Sequence, residues 1–239
     1  MKILAIDSSG MVASVAIVSD DIVVAEYNVN FKKTHSQTLL PMVDEIVNML
    51  EQDMSEIDAI AVAAGPGSFT GLRIGSATAK GLAQALNKPV VAVPTVDALA
   101  YNLYGTAAII CPVMDARRNQ TYTGIYEFVR TESGYRMNVI ESQCAVDISV
   151  IIERLNGIGR EVVFLGDGVP VFKNQIDEQL KLPHSYAPAF MNRQRAAALA
   201  TLAFEYMKDG KGTTAAEFTP IYLRLSQAER EQLEKETNQ

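Results

Sequence analysis

The sequence is poor in the residues that build disulfide frameworks and histidine metal sites. It has two cysteines, two histidines and no tryptophan in 239 residues. Cys111 and Cys144 lie outside any C-x-x-C spacing, so we expect reduced thiols rather than a disulfide. His35 and His184 stand 149 positions apart (184 minus 35) and form no metal-binding motif. These scarcities exclude a zinc-finger module and a disulfide-stapled secreted domain.

Basic residues are too scattered for the chain to hold a nucleic acid by itself. The 21 Lys and Arg residues against 28 Asp and Glu residues give a formal net charge of -7, and no run of them forms a basic stripe. Nucleic acid backbones are held by clustered cations. Any role in nucleic acid chemistry must therefore be indirect.

Long apolar stretches are also missing. The N-terminus carries Lys2 and then a short apolar run that ends at Asp7, which is too short for the core of a signal peptide. No stretch is long and apolar enough to span a bilayer. We therefore expect a cytoplasmic protein without membrane contact, and the 48% apolar content indicates ordinary folded cores.

The first part of the chain contains an ordered series of strand and helix patterns. Apolar runs at 3–6, 12–18 and 22–29 predict three strands joined by short antiparallel connections. An amphipathic helix is predicted from about Thr38 to Glu51, with Pro41 in its first turn. A strand, a glycine-rich turn, a helix, a strand and a helix follow. This β-β-β-α-β-α-β-α order is that of the ribonuclease H-like unit.

The second half predicts a degraded copy of the same unit. Strands are indicated at 108–114, 121–129 and 161–165, and helices near 147–154 and at 194–208. We therefore predict an α/β protein with the two-lobed actin-like ATPase (ASKHA) fold, a duplicated ribonuclease H-like unit whose mixed sheets are flanked by helices. The lobes are assigned to 1–104 and 105–225, and 226–239 forms a charged tail.

The glycine-rich turn from Gly65 to Gly75 joins a predicted strand to a predicted helix. Backbone N–H groups at such a turn favour an anion, although the same pattern also serves simply to turn the chain, and the Lys-Ser/Thr ending of a Walker loop is missing. In the following helix, small residues recur every four positions and leave one face without bulk. That face packs either on its own sheet or on another protein. Its residues are Gly71, Gly75, Ala79 and Ala83.

Several stretches together resemble the TsaB (YeaZ-like) family, and the long glycine-rich run is the most specific of them. They are Ala5–Ser9, His35–Met42, the run GPGSFTGLRIGSATAKGLA from Gly65 to Ala83, Asp115–Arg118 and Pro220–Arg224. The resemblance implies a non-catalytic subunit that acts with TsaD-type and TsaE-type proteins. Together they attach a threonylcarbamoyl group to the adenosine beside the anticodon of tRNA.

The resemblance also implies where partners bind. The first two helices would contact the TsaD-type protein, or a second copy of this chain when that partner is absent. The isolated chain would not bind tRNA directly. The predicted interface residues are Leu39, Leu40, Val43, Val47, Gly71, Gly75, Ala79 and Ala83.

Metal and nucleotide sites are expected to be lost. The His-x-x-x-His pair of TsaD-type proteins maps onto Thr95 and Leu99, which cannot replace imidazole ligands. The first phosphate-binding hairpin of actin-like ATPases is recognisable at Asp7–Gly10, whereas the second would place Arg117 and Arg118 where glycines are needed. No cofactor is expected, unless ATP binds at an interface shared with a partner. Residues that remain candidates for contacts with an anion or nucleotide are Asp7, Ser9, Gly67, Ser68 and Arg117.

Two enzymatic alternatives remain open at this point. A small-molecule kinase or ATPase would use Asp7, Asp115 and the loop 65–71. A peptidase would need Ser68 or Thr70 as its nucleophile, with a base such as His35 brought close by folding.

Overall fold

The computed structural model describes residues 1–31 and 34–224, so the predicted tail at 226–239 lies outside the described residues. The first unit has five strands and three helices in the predicted order. The strands are β1 (Lys2–Asp7), β2 (Val12–Ser19), β3 (Ile22–Asn30), β4 (Ala59–Gly65) and β5 (Val90–Pro94). The helices are α1 (His35–Met49), α2 (Phe69–Leu86) and α3 (Thr95–Tyr101).

The second half of the chain contains more elements than its sequence indicated. Its strands are β6 (Ile109–Asp115), β7 (Gln120–Thr131), β8 (Gly134–Asp147), β9 (Val162–Leu165), β10 (His184–Tyr186) and β11 (Gly212–Thr213). Its helices are α4 (Ile148–Ile158), α5 (Val169–Gln179) and α6 (Ala196–Lys208). The patterns missed β8, α5, β10 and β11. The edge strand β8 has no buried residue and lacks an apolar run, while β10 has three residues and β11 has two.

The two units have the same sheet topology. The first sheet has the order β11-β5-β4-β1-β2-β3 and the second has the order β10-β9-β6-β7-β8. In both, the first strand pairs antiparallel with the second and parallel with the fourth. This duplicated arrangement confirms the predicted two-lobed actin-like ATPase fold.

The elements stack in five layers around three apolar cores. Helices α1 and α2 cover the outer face of the first sheet, and α4 and α5 cover the outer face of the second. Helices α3 and α6 lie between the sheets, where alternate residues of β1 and β4 face them with small side chains such as Ala5 and Ala61. Helix α3 contacts strands of both sheets, and α6 packs on the first sheet and on α3. The two sheets are therefore joined by a packed layer of helices.

Two predicted boundaries need correction. The division at residue 105 assigned α6 and β11 to the second lobe, but α6 packs against β1 and β2, and β11 pairs with β5. Helix α1 begins at His35 instead of Thr38, so Pro41 lies in its second turn. The hydrogen bond that Pro41 cannot donate would end at Gln37, whose exposure leaves its carbonyl to water. Within the described residues, no helix combines the length and the apolar character needed to cross a membrane.

Candidate functional site

A cleft of about 460 Å³ lies between the lobes, at the carboxyl ends of the central strands. Loops that follow β1, β4, β6 and β9 meet there, as expected for ligand sites in open α/β sheets. The C-terminal segment 221–224 forms the remaining wall. Residues from these loops that line the cleft include Ser9, Gly10, Gly67, Ser68, Asp115, Arg117 and Asp167. The structure therefore brings together both hairpins and the glycine-rich turn that the sequence singled out.

Asp7 ends β1 beneath the first hairpin and is 1% exposed. Its Oδ1 accepts hydrogen bonds from the backbone N–H of Ser9 at 2.9 Å and from the Ser9 hydroxyl at 2.6 Å. Burial raises the pKa of Asp7 to about 6, while the bonds from Ser9 and the nearby His35 oppose that rise. Asp7 does not line the cleft itself, but a carboxyl group with a raised pKa that holds a cleft-lining residue, Ser9, is a candidate functional group.

The glycines at the start of α2 exist for close packing against the first hairpin. A Cβ atom at Gly67 would collide with the carbonyl oxygen of Ser9, and one at Gly71 would collide with that of Ser8. At Gly75 a Cβ would collide with the Ser8 hydroxyl, which donates a hydrogen bond to the Gly71 carbonyl at 2.9 Å. The helix therefore lies directly on the hairpin, and any bulkier residue would force the two apart.

This packing corrects most of the predicted interface. The small-residue face of α2 points into the first lobe, where Ala79 and Ala83 are 0% and 1% exposed in the outer core. The residues of the predicted interface that are buried in the chain's own fold are Leu39, Val43, Gly71, Gly75, Ala79 and Ala83. Val47 is half-buried against the same core, and only Leu40, at 55% exposure, points clearly outward. Of the two alternatives for the small face, packing on its own sheet is the one observed.

The anion-binding capacity of the glycine-rich turn is partly used within the chain. The backbone N–H of Ser68 donates to the carbonyl oxygen of Ser9 at 2.7 Å. The Ser68 hydroxyl caps α2 by accepting from the N–H of Gly71 at 3.2 Å. Two amide groups that a phosphate at this helix start would use are thus already satisfied.

The second hairpin is bent by three successive left-handed residues. Arg117, Arg118 and Asn119 have φ angles of 64°, 56° and 59°, a conformation that side chains with a Cβ adopt rarely. The carboxylate of Asp115 holds the bend, because Oδ1 accepts from the Arg117 N–H at 2.8 Å and Oδ2 lies 3.2 Å from Arg117 Nη1. The Arg117 side chain remains 85% exposed at the mouth of the cleft. Contact of Arg117 with an anion therefore stays a prediction, since the observed partner of its guanidinium is Asp115.

Asp167 is a cleft residue that sequence reasoning interpreted only as part of a turn. It follows β9, and its Oδ1 is buried without a hydrogen-bond partner among the described residues. Burial raises the pKa of Asp167, and the backbone N–H of Asp115 and the charge of Arg193 act in the opposite direction. Asp7 and Asp115 each end a strand, whereas Asp167 is separated from β9 by Gly166, and a Gly-Asp-Gly sequence is also that of an ordinary turn. The described residues nevertheless contain no group of three His, Cys, Asp or Glu side chains placed to hold a metal ion.

The positions that the resemblance assigns to metal ligands have structural roles here. Thr95 is fully buried, and its hydroxyl accepts a hydrogen bond from the Gly65 N–H at 3.1 Å. Leu99 is 1% exposed in the core between the sheets. Between them, Asp97 accepts hydrogen bonds from the hydroxyls of Tyr126 at 2.7 Å and Tyr206 at 3.2 Å. The positions thus contribute packing and a hydrogen-bond network that links the two lobes.

The two histidines lie in different lobes. Nε2 of His35 is 2.8 Å from the carbonyl oxygen of Gly10, at the start of α1. Nε2 of His184 lies 2.9 Å from a carboxylate oxygen of Asp177 at the edge of the second sheet. Nδ1 of His35 is buried without a hydrogen-bond partner among the described residues, so neither ring nitrogen activates the hydroxyl of Ser68 or Thr70 in this arrangement.

Comparison with known proteins gives consistent matches along most of the chain. The family model described as TsaD, tRNA N6-adenosine threonylcarbamoyltransferase, matches residues 29–232. The tRNA threonylcarbamoyladenosine biosynthesis protein TsaB of Bacillus subtilis is 35% identical over 99% of this chain and 100% of its own length. Its namesake in Escherichia coli is 30% identical over 94% of this chain and 95% of its own.

Solved structures show the same relationship in three dimensions. A Pseudomonas aeruginosa protein described as similar to the peptidase YeaZ superposes with a TM-score of 0.78 at 28% identity, covering 93% of this chain and 99% of its own. A structure described as YeaZ from the same organism gives a TM-score of 0.75, also at 28% identity, with 93% and 100% coverage.

Proposed function

Since this chain belongs to the TsaB (YeaZ-like) branch of the TsaD family, we propose that it takes part in tRNA threonylcarbamoyladenosine biosynthesis as a non-catalytic subunit. It binds a TsaD-type protein, with a TsaE-type protein in the same assembly, and supports transfer of the threonylcarbamoyl group to tRNA in the cytoplasm. One observation carries this proposal. The positions that match metal ligands in TsaD-type proteins hold the Thr95 hydroxyl, bonded to Gly65, and the core residue Leu99.

The partner surface that we propose lies on the outer faces of α1 and α2. Helix α2 has a second row of residues four positions apart, which points to solvent instead of the sheet. It consists of Arg73, Ala77, Gly81 and Ala85. A Cβ at Gly81 would meet nothing within 4 Å, so another helix can approach this row closely. The exposed Leu40 of α1 supplies apolar area for the same surface, which is hereafter called the outer α1/α2 face.

The outer α1/α2 face also accounts for the expected homodimer. A contact between two copies through this face would be isologous, with each chain giving the same patch. Binding of the TsaD-type partner and self-association would then compete for one surface. ATP, if it takes part, would bind at an interface shared with the partner and not in the cleft of this chain alone.

The test is to replace Ala77 by Arg and measure binding to a purified TsaD-type protein by isothermal titration. Insertion of a bulky cation into a close helix contact should weaken binding at least tenfold. The melting temperature should stay near that of the parent chain, because Ala77 is exposed. Asn174→Arg is the matched control, since it adds the same charge to an exposed position of α5. Unchanged affinity of a folded Ala77→Arg chain would exclude this surface.

A small-molecule kinase or ATPase is the second candidate. The observation that favours it is the buried Asp7, which has a pKa of about 6 and lies beneath the first of the two hairpins that line the cleft. Against it stand the satisfied amides of Ser68 and Gly71, which reduce the capacity of the turn for phosphate. Titration of the isolated chain with ATP and Mg²⁺ separates the two functions, because micromolar binding would favour the kinase.

A further inference from the structure

The segment after β11 is anchored firmly in the first lobe. Phe218 is 2% exposed in the outer core beside α2 and the first sheet. Three residues later, the N–H of Ile221 donates to the carbonyl oxygen of Ala64 at 2.6 Å, at the end of β4. A Cβ at Gly65 would collide with the carbonyl oxygen of Ile221, and Gly65 has a φ of 113° that favours glycine. The backbone of the first lobe is thus shaped to let this segment pass.

From this anchor the segment reaches the second lobe. Nη1 of Arg224 donates to the carbonyl oxygen of Ala116 at 2.5 Å and lies 3.3 Å from that of Arg117. Both carbonyls belong to the left-handed bend of the second hairpin. Charge-assisted bonds from a guanidinium to two successive carbonyls hold a bend that is otherwise unfavourable.

An aromatic stack supports the segment on the side of α2. The ring of Tyr222 lies 5.0 Å from that of Phe69, centroid to centroid, and the guanidinium of Arg73 lies 3.9 Å from the Phe69 centroid on the same helix. The stack fixes Tyr222 over the start of α2. Ile221, Tyr222, Leu223 and Arg224 all line the cleft.

We propose that residues 220–224 form a clasp that ties the two lobes together across the cleft and opposes hinge opening. On the far side, α3, α6 and the hydrogen bond from Tyr126 to Asp97 already join the lobes through a buried core. Opening of a two-lobed protein requires separation on the cleft side. On that side, Ile221 is bonded to Ala64 of the first lobe and Arg224 is bonded to Ala116 of the second hairpin. The segment between them therefore holds the cleft at its present width.

The clasp is tested by the distance between spin labels on the two outer layers. Asn48→Cys in α1 and Asn174→Cys in α5 place labels on exposed positions of opposite lobes, in a chain that also carries Cys144→Ser, with Cys111 buried. Pulsed dipolar measurements compare the full chain with Arg224→Gln, which loses the guanidinium. They also compare two truncated chains. The chain ending after Thr219 lacks the clasp and residues 226–239, and the chain ending after Leu225 lacks residues 226–239 but keeps the clasp.

Loss of the clasp should lengthen the mean distance and broaden its distribution in the chain ending after Thr219. Arg224→Gln should shift both in the same direction by less, while the chain ending after Leu225 should match the full chain. If the chain ending after Thr219 does not fold, Arg224→Gln alone decides the question. Distributions that coincide with the full chain in every folded clasp variant would overturn the proposal.

Discussion

Replacing Asp7 by Asn should stabilise the fold at neutral pH, even though it alters the most conspicuous group of the candidate site. The Asp7 side chain is buried, and its ionised form has lost its hydration without gaining a cation hydrogen bonded to it among the described residues. An Asn side chain keeps an oxygen that can accept both bonds from Ser9 and carries no charge. The substitution removes the desolvation cost and keeps the hairpin.

The size of the effect follows from the pKa. Folding raises the pKa of Asp7 from the ordinary value of 3.8 to about 6. At 1.36 kcal/mol per pKa unit, ionisation of Asp7 lowers the free energy of unfolding by about 3 kcal/mol. Well below pH 3.8 both states are protonated and nothing is lost. The stability falls between about pH 4 and 6, where the unfolded state ionises first, and the loss is complete above the folded-state pKa.

The assay is urea unfolding of the parent chain and of Asp7→Asn between pH 4 and 8, with the unfolding monitored by circular dichroism. The variant should be more stable by up to about 3 kcal/mol at pH 7.5, and the difference should shrink steeply as the pH falls towards 4. Asp44→Asn, at an exposed position of α1, is the control for a general loss of negative charge. Equal stability of parent and Asp7→Asn at pH 7.5, or a difference that does not depend on pH, would refute the argument.

Three further predictions follow from the packing of α2 and from the charge. Ala79→Arg should lower the free energy of unfolding by about 3 kcal/mol or more, because it puts bulk and a charge into the outer core, and a normal melting curve would contradict that burial. Gly81→Ala should raise the free energy of unfolding by about 0.5–1 kcal/mol, since the added methyl group meets nothing within 4 Å. A lower free energy of unfolding in chemical denaturation would contradict this. Gel-shift titration of the isolated chain with tRNA should show no submicromolar binding at physiological salt, given the net charge of -7, and tight binding would require a basic surface that the sequence does not indicate.

The candidate site was predictable in its parts. The first hairpin, the glycine-rich turn and the second hairpin are each marked by local residue types, and the fold places all three around one cleft. Asp167 was missed because Gly166–Gly168 is indistinguishable from an ordinary turn until β9 is placed beside β6. The clasp was also missed, because the contact from Arg224 to Ala116 joins residues 108 positions apart and local patterns carry no trace of it.

The sequence by itself determined the α/β order of the first unit and the family, because buried strands read as apolar runs and the long glycine-rich run is specific. It could not decide which side of α2 faces the sheet. The helix has two rows of small residues, one from Gly71 to Ala83 and one from Ala77 to Ala85, and both leave room for a close neighbour. Only the tertiary structure decided between them, since the carbonyl oxygen and the hydroxyl of Ser8 occupy the space that Cβ atoms at Gly71 and Gly75 would need. The inner row is thereby buried in the fold, and the outer row stays exposed to solvent.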